Sequence, residues 1–196
     1  KARSLGAVDS TPWNLISACE AADVVILTIP FDQVKATLTA IGNELKPGCV
    51  VLDTSPFKQP VQAWASEFLQ EGIHYVGLAL GTNPELMQDQ TRGPEGARSN
   101  LFANSPCCIM PSADCHPAAV KSAQDIAVLL GATPYFLDGA EYDGVSTAVN
   151  WMPAMVAAAL MGPLTGSPGW REMQRVSSVN LFHLTQPLDT GGAALA

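Results

Sequence analysis

The stretch of residues 21–53 constrains this chain most. Val24-Val25-Ile26-Leu27-Thr28-Ile29-Pro30 is an almost unbroken apolar run ended by a proline, and Cys49-Val50-Val51-Leu52-Asp53 is a second, ended by an aspartate. Between them Val34, Leu38, Ile41 and Leu45 recur at helical spacing, which predicts an amphipathic helix over 33–45 stopped by Lys46-Pro47-Gly48. Continuous apolar runs joined by such a helix are what a parallel sheet covered on both faces requires. Their shortness, β-branching and flanking turn residues select strands over buried helix.

The same grammar continues downstream. Residues 1–7 read as a helix end with its glycine cap, and Ser10-Thr11-Pro12 as the cap of a short helix whose apolar face is Trp13, Ile16 and Cys19. Pro60 opens a helix to Gln70 facing inward through Val61, Trp64 and Phe68, and a third strand is expected over 73–80. Residues 81–105 carry Asn83-Pro84, Gly93-Pro94 and Gly96 without sustained period. They read as a long excursion with one short helix over 85–88, of the kind that is more often functional than idle. A strand over 107–110, a helix over 117–130 and a last strand over 133–137 follow.

After Asp138 the character changes. Tyr142, Val145, Ala148, Val149, Met152, Met155, Val156, Ala159 and Leu160 form a helical pattern rich in small residues, suited to packing against another helix or a second subunit. A kink is expected at Pro153, a break from Pro163 to Gly169, a further helix over 170–184 and a frayed tail from Thr185. The expected fold class is α/β: a Rossmann-like doubly wound parallel sheet lacking its first β-α-β, followed by the start of an all-α dimerisation domain. The expected domains are 1–140 and 141–196.

Composition removes several classes. The formal charge of −8 with no Lys/Arg cluster excludes a phosphate-tracking nucleic-acid surface. The five cysteines form no C-x-x-C pair and no framework spacing, so reduced, intracellular (cytoplasmic) thiols and no metal site are expected. Apolar stretches are interrupted by Pro, Gly or polar residues well before ~18 positions, so no membrane span is expected. No G-x-S-x-G, Walker A or EF-hand pattern occurs, nor a G-x-G-x-x-G turn, which in this fold would precede Lys1.

In a doubly wound sheet, ligands bind beyond the carboxyl ends of the strands. Three such ends can be named: Thr28-Ile29-Pro30-Phe31-Asp32, Asp53-Thr54-Ser55-Pro56-Phe57-Lys58, and Gly77-Leu78-Ala79-Leu80-Gly81. Ser55 and Lys58 offer a hydroxyl and a cation suited to a carboxylate or phosphate, although the same residues also read as a turn and helix cap. Arg92 and Arg98 in the long excursion are candidate clamps for a carboxylated substrate. None of the three histidines is an obvious base: His74 opens its strand, His116 precedes a helix and His183 lies among apolar residues.

Residues 22–30 and 53–58, then Ile73-His74-Tyr75-Val76-Gly77, Leu101-Phe102-Ala103-Asn104, Gly131-Ala132 and Glu141-Tyr142-Asp143, resemble the prephenate and arogenate dehydrogenase family in order and rough spacing. The resemblance implies a nucleotide domain holding NAD or NADP and a helical dimerisation domain. It also implies hydride transfer with decarboxylation of a small carboxylated substrate on the way to tyrosine. It places Thr28, Ile29, Pro30 and Phe31 beside ribose and nicotinamide, with Asp53, Ser55 and Lys58 in the adjoining cofactor segment and Ser55 also near the substrate. Where the family carries histidines, this chain has residues 78–83, the pair Tyr142-Asp143, and Asn150-Trp151. Tyr142 or Asp143 is then the proton-handling candidate, and Asn150 faces substrate. The rival expectation is a non-catalytic or truncated Rossmann-like module acting in binding or homodimer assembly.

Overall fold

A computed structural model describes residues 3–87, 89, 91 and 93–185. The chain falls into two compact units, Lys1–Tyr142 and Asp143–Ala196. The first holds a five-stranded sheet in the order β1-β2-β3-β4-β5. Its elements are α1 (Leu15–Cys19), β1 (Val24–Leu27), α2 (Phe31–Ile41), β2 (Val50–Asp53), α3 (Gln59–Phe68), β3 (His74–Leu80), β4 (Pro106–Pro111), α4 (Pro117–Leu129) and β5 (Thr133–Phe136).

The two apolar runs are β1 and β2, parallel in register Val24↔Val50, and β3 continues the parallel set at Val50↔His74. Val34, Leu38 and Ile41 of α2 are fully buried against Val25, Leu27, Val51, Val61 and Ala65, which builds one core layer from α1, α2 and α3. Ala119, Ala123 and Ala127 of α4 close the opposite face over Leu52, Val76, Leu78 and Ile109. Positive φ at Gly48 (83°) and Gly72 (87°) makes the tight entries into β2 and β3, and the two turns are joined by a Gly48 N–H to Gly72 carbonyl bond of 2.8 Å. Among the described residues β1 pairs only with β2, and Ile26, on the same face of the sheet as Leu52, is 49% exposed.

The all-parallel expectation needs one correction. β4 runs antiparallel to β3 (Gly77↔Met110), and β5 is parallel to β4 (Ile109↔Phe136). The physical reason lies in segment 81–105. Its described residues form only 3-10 turns, at Pro84–Leu86 and Gly93–Gly96, and no crossover helix. A parallel return needs such a crossover, whereas an antiparallel one does not. The excursion therefore leaves and re-enters at one end of the sheet, pinned by the Gly81 N–H on the Pro106 carbonyl at 2.8 Å. The Ser105 hydroxyl adds to this pin, 2.7 Å from the carbonyls of Gly81 and Phe102. The short helix expected over 85–88 is the turn Pro84–Leu86, and Gln88 lies outside the described residues.

α1 is capped by Asn14, whose carboxamide oxygen accepts from Ser17 N–H at 2.7 Å, rather than by Ser10, and Trp13 is 93% exposed instead of facing inward. The helical unit also departs from expectation. α5 (Gly139–Ser146), a π turn (Thr147–Trp151) and α6 (Met152–Thr165) form one continuous helical run. The kink expected at Pro153 is absorbed by the π turn just before it, where Met152 N–H reaches the Thr147 carbonyl and the widened turn makes room for the proline ring. Pro163 does not break the run; α6 continues to Thr165 and stops at Gly166. The helix expected over 170–184 divides into α7 (Trp170–Val176) and α8 (Val179–Thr185), because Ser177 turns extended at ψ 141°. The tail beyond Thr185 lies outside the described residues.

Because neither proline ends it, the run Gly139–Thr165 is 27 residues long with a mean hydropathy of 1.3 over its most apolar window. That meets the length and hydropathy of a membrane span, which the sequence reading did not anticipate.

Candidate functional site

The carboxyl ends of β1 and β2 form a shelf. Thr28 and Pro30 are exposed there, and Ile29 and Phe31 half-buried. Pro30 stands at the N-cap of α2, so the strand passes into the helix without a loop. The Phe31 ring meets Phe57 edge-on at 5.3 Å and Trp64 at 5.5 Å, which joins the end of β1 to the loop after β2 and to α3. Thr54 adds a polar tie, its N–H and hydroxyl both on the Leu27 carbonyl at 3.2 and 2.8 Å.

Beneath the shelf lies a buried polar hub. Asp53, fully buried, accepts from Ser55 N–H (3.0 Å) on one carboxylate oxygen. Its other oxygen takes the Ser55 hydroxyl (2.7 Å), the Lys58 ammonium (3.1 Å) and the Tyr75 hydroxyl (3.3 Å). The ammonium also donates to the Asp53 carbonyl at 2.9 Å, and the Lys58 side chain is 1% exposed. Strand alternation produces this meeting, since residues 51 and 53 of β2 and 75 and 77 of β3 share the α3 side of the sheet. Removing one member of such a pair leaves an uncompensated buried charge, at a cost of about 3–5 kcal/mol.

Two glycines make the socket. A Cβ on Gly77 would sit 3.0 Å from Lys58 Cδ, 3.4 Å from the Tyr75 hydroxyl and 3.5 Å from Met110 Cβ. A Cβ on Gly139, the first residue of α5, would sit 3.5 Å from Lys58 Cβ and 3.2 Å from Gln62 Oε1. The lysine stem thus lies across β3 with the start of α5 against it. Burial, reinforced by Cys108, pushes the nearby Cys107 thiol up to about 11, while the Lys58 charge pulls it down.

The remaining expected residues are spread more widely. Tyr142 and Asp143 are half-buried in α5, which is capped by the Asp138 carboxylate on Ala140 N–H at 2.8 Å. Asn150 is exposed in the π turn, its amide on Ser146 Oγ at 3.1 Å. Arg98 is exposed and ion-paired to Asp89 at 3.2 Å, so its charge is matched within its own segment. Thr91, through hydroxyl and N–H, and then Arg98 hold the Asp89 carboxyl below the usual range. Arg92 lies outside the described residues. Ser55 and Lys58 do come together, but on Asp53, with the ammonium turned inward.

Sequence reading missed three participants. Tyr75 and Gly77 were named in the third strand and in the segment that carries the resemblance, but without a role, and the signal for one was the shared alternation with Asp53. Asn83 was visible as a turn residue; it is 2% exposed, with its amide donating to the Asn100 carbonyl at 3.0 Å and its oxygen accepting from Glu85 N–H. His74 stands at the other end of β3, its ring 5.9 Å from that of His116, whose Nδ1 accepts from Ala118 N–H as the cap of α4.

The family model of the prephenate dehydrogenase nucleotide-binding domain matches residues 1–135. The prephenate dehydrogenase of Bacillus subtilis (strain 168) is 24% identical over 194 residues, covering 97% of this chain and 47% of that protein. The cyclohexadienyl dehydrogenase of Zymomonas mobilis is 23% identical over 166 residues, covering 85% of this chain and 55% of that protein. The chain thus spans about half the length of the curated relatives it matches. Synechocystis arogenate dehydrogenase superposes with a TM-score of 0.74 at 22% identity, over 95% of this chain and 65% of that one. Aquifex aeolicus prephenate dehydrogenase, solved with hydroxyphenyl propionate and NAD+, gives 0.72 at 17% identity, over 99% and 70%. These structural likenesses establish the fold.

Proposed function

The chain belongs to the prephenate dehydrogenase family through its nucleotide-binding domain, and from that premise we propose that it is part of an NAD- or NADP-dependent oxidoreductase. The reaction is hydride transfer between the cofactor and a small carboxylated substrate of the prephenate or arogenate kind, in the route to tyrosine. The observation that carries this reading is the shelf. Two adjacent parallel strands end together, are tied by Thr54 and covered by Phe31 and Phe57, at the end of the sheet where ligands of this fold class bind.

The residues present fit the nicotinamide half of the cofactor. Thr28 offers a hydroxyl at the strand end, and Phe31 with Phe57 gives an apolar wall against which a nicotinamide ring can be held dry. Asp53, Ser55 and Lys58 hold this wall from beneath. The cofactor supplies the hydride; the chain supplies orientation and exclusion of water. In this fold the glycine-rich turn after the first strand holds the pyrophosphate, and that strand lies beside the one equivalent to β1; among the described residues β1 has no strand on its outer edge. Tyr142 or Asp143 handles the proton, Arg92 and Arg98 engage the substrate carboxylate, and Asn150 contacts the substrate. The free thiols fit a reducing, cytoplasmic compartment.

The test is a fluorescence titration of the full-length protein with NADH and NADPH, followed by turnover of Tyr142→Phe and Asp143→Asn. Saturable binding below ~100 μM and at least a ~10-fold loss of turnover in one variant are expected. No binding up to millimolar overturns the cofactor reading, and wild-type turnover in both variants overturns the proton assignment.

A second reading, a homodimer assembly module, has one observation of its own. Val149, Met152, Met155 and Val156 are each more than half exposed on one helical run. A self-complementary apolar face of this kind fits a second copy. Met155→Glu with Val149→Glu is expected to halve the mass seen by light scattering. An unchanged mass with loss of lipid-vesicle binding instead assigns the face to a membrane.

A further inference from the structure

We propose that Lys58 is a positioning residue: an internal strut that fixes the loop after β2 and the first turn of α5 as the support of the nicotinamide shelf, without touching the cofactor. The inference rests on the cofactor reading above and assigns this residue's part in it.

Three observations carry it. The Lys58 side chain is 1% exposed, and its ammonium donates inward to both the carbonyl and the carboxylate of Asp53. Lysine is almost never this buried without a partner, and here the partner is the last residue of the strand beneath the shelf. The stem is boxed on two sides by positions without a side chain, Gly77 on β3 and Gly139 at the head of α5. Finally, the same carboxylate oxygen that takes the ammonium also takes Ser55 and Tyr75, so the charge organises the loop that carries Phe57 against Phe31.

Stability alone is a poor explanation for this arrangement. A buried ion pair costs so much desolvation that an uncharged replacement of the whole pair is often neutral or better. What an uncharged pair cannot do is tie the end of β2 to the loop after it through one directional fork of hydrogen bonds, and so fix the stem against which the start of α5 packs. Position, rather than stability, is then what the lysine supplies.

The experiment uses the full-length protein carrying Lys58→Met together with Asp53→Asn, so that no buried charge is left without a partner. The thermal midpoint is expected to stay within a few degrees of wild type, as an uncharged pair predicts. Amide exchange at Thr54, Ser55 and Phe57 and in the first turn of α5 is expected to rise at least ~10-fold, with α4 unchanged. The NADH Kd is expected to rise at least ~10-fold, with the same salt dependence as wild type.

Unchanged exchange at those segments overturns the strut, as does a uniform rise that includes α4. A weaker Kd with a flattened salt dependence also overturns it, because that marks an ammonium facing the cofactor directly. If wild type itself binds neither NADH nor NADPH, the cofactor reading falls while the exchange result still decides the strut.

Discussion

Gly77→Ala probes the socket most directly. Gly77 has an ordinary strand backbone, so alanine is not strained there, and less entropy is lost on folding, worth about 0.5–1 kcal/mol. Against this, the new methyl would lie 3.0 Å from Lys58 Cδ, where carbon atoms settle at about 3.5–4.0 Å. The stem must retreat by roughly 0.5–1 Å, yet its head is tethered at 2.9 and 3.1 Å. A shift of that size takes both bonds to the limit of useful geometry. Losing most of two charge-assisted bonds at about 1.5–3 kcal/mol each, less the entropic gain, leaves a net loss of about 2–4 kcal/mol. For a chain of this size that is a fall of roughly 5–15 °C in Tm. Thermal and urea unfolding measure it. In the Lys58→Met/Asp53→Asn background the same substitution should cost under about 1 kcal/mol, because the side chain at position 58, no longer tethered by an ammonium, can retreat from the new methyl. Equal cost in both backgrounds, or no cost in wild type, refutes the reasoning.

Gly42→Ala should be worse and independent of Lys58. Its methyl would run into the Phe68 carbonyl oxygen and stand 2.9 Å from the Leu38 carbonyl, forcing α2 and α3 apart at a cost of about 3 kcal/mol or more in urea unfolding. Cys107 makes alkaline stability predictable: its folded value of about 11 lies above the ordinary 9.0, so its contribution is complete below pH 9 and lost as pH rises toward 11. Cys107→Ala should remove that part of the alkaline loss, about 2–3 kcal/mol, in unfolding measured across the same range. Asp89 works in the opposite sense. Its lowered carboxyl keeps Thr91 and Arg98 in place through the usual carboxylate range and releases them only as pH falls below that range. Asp89→Asn should abolish the acid-dependent shift of the Arg98 side-chain NMR signal.

How much of this was legible from residues alone depended on the kind of interaction involved. Val24 to Leu27 and Val50 to Asp53 were readable because a doubly covered parallel strand leaves an apolar run that few other structures produce. The shelf at Thr28, Ile29, Pro30 and Phe31 followed, since strand ends locate ligands in this architecture. The direction of β4 was not readable, because antiparallel and parallel strands share one apolar pattern, and what separates them here is that the described residues of segment 81–105 form no crossover helix. Lys58, two residues before Pro60, has the local look of a surface cation; its destination is set by Gly77 and Asp53 on two other strands. Pro163 and Trp13 failed for simpler reasons. α6 runs through Pro163 at the expense of the bond to the Ala159 carbonyl and ends within a turn of it, and an isolated tryptophan beside a five-residue helix has no second layer to enter.

The reversal of β4 has a consequence for how this protein can diversify. Since segment 81–105 starts and ends at the same rim, held by Gly81 and Pro106, its length is uncoupled from the register of every strand. Doubling such a loop raises its closure cost by only about 0.6 kcal/mol. The rim beside the shelf can therefore accept insertions, deletions or a grafted segment from a relative while the sheet stays intact. A βα crossover at the same place would allow none of this, since its helix must also cover the sheet.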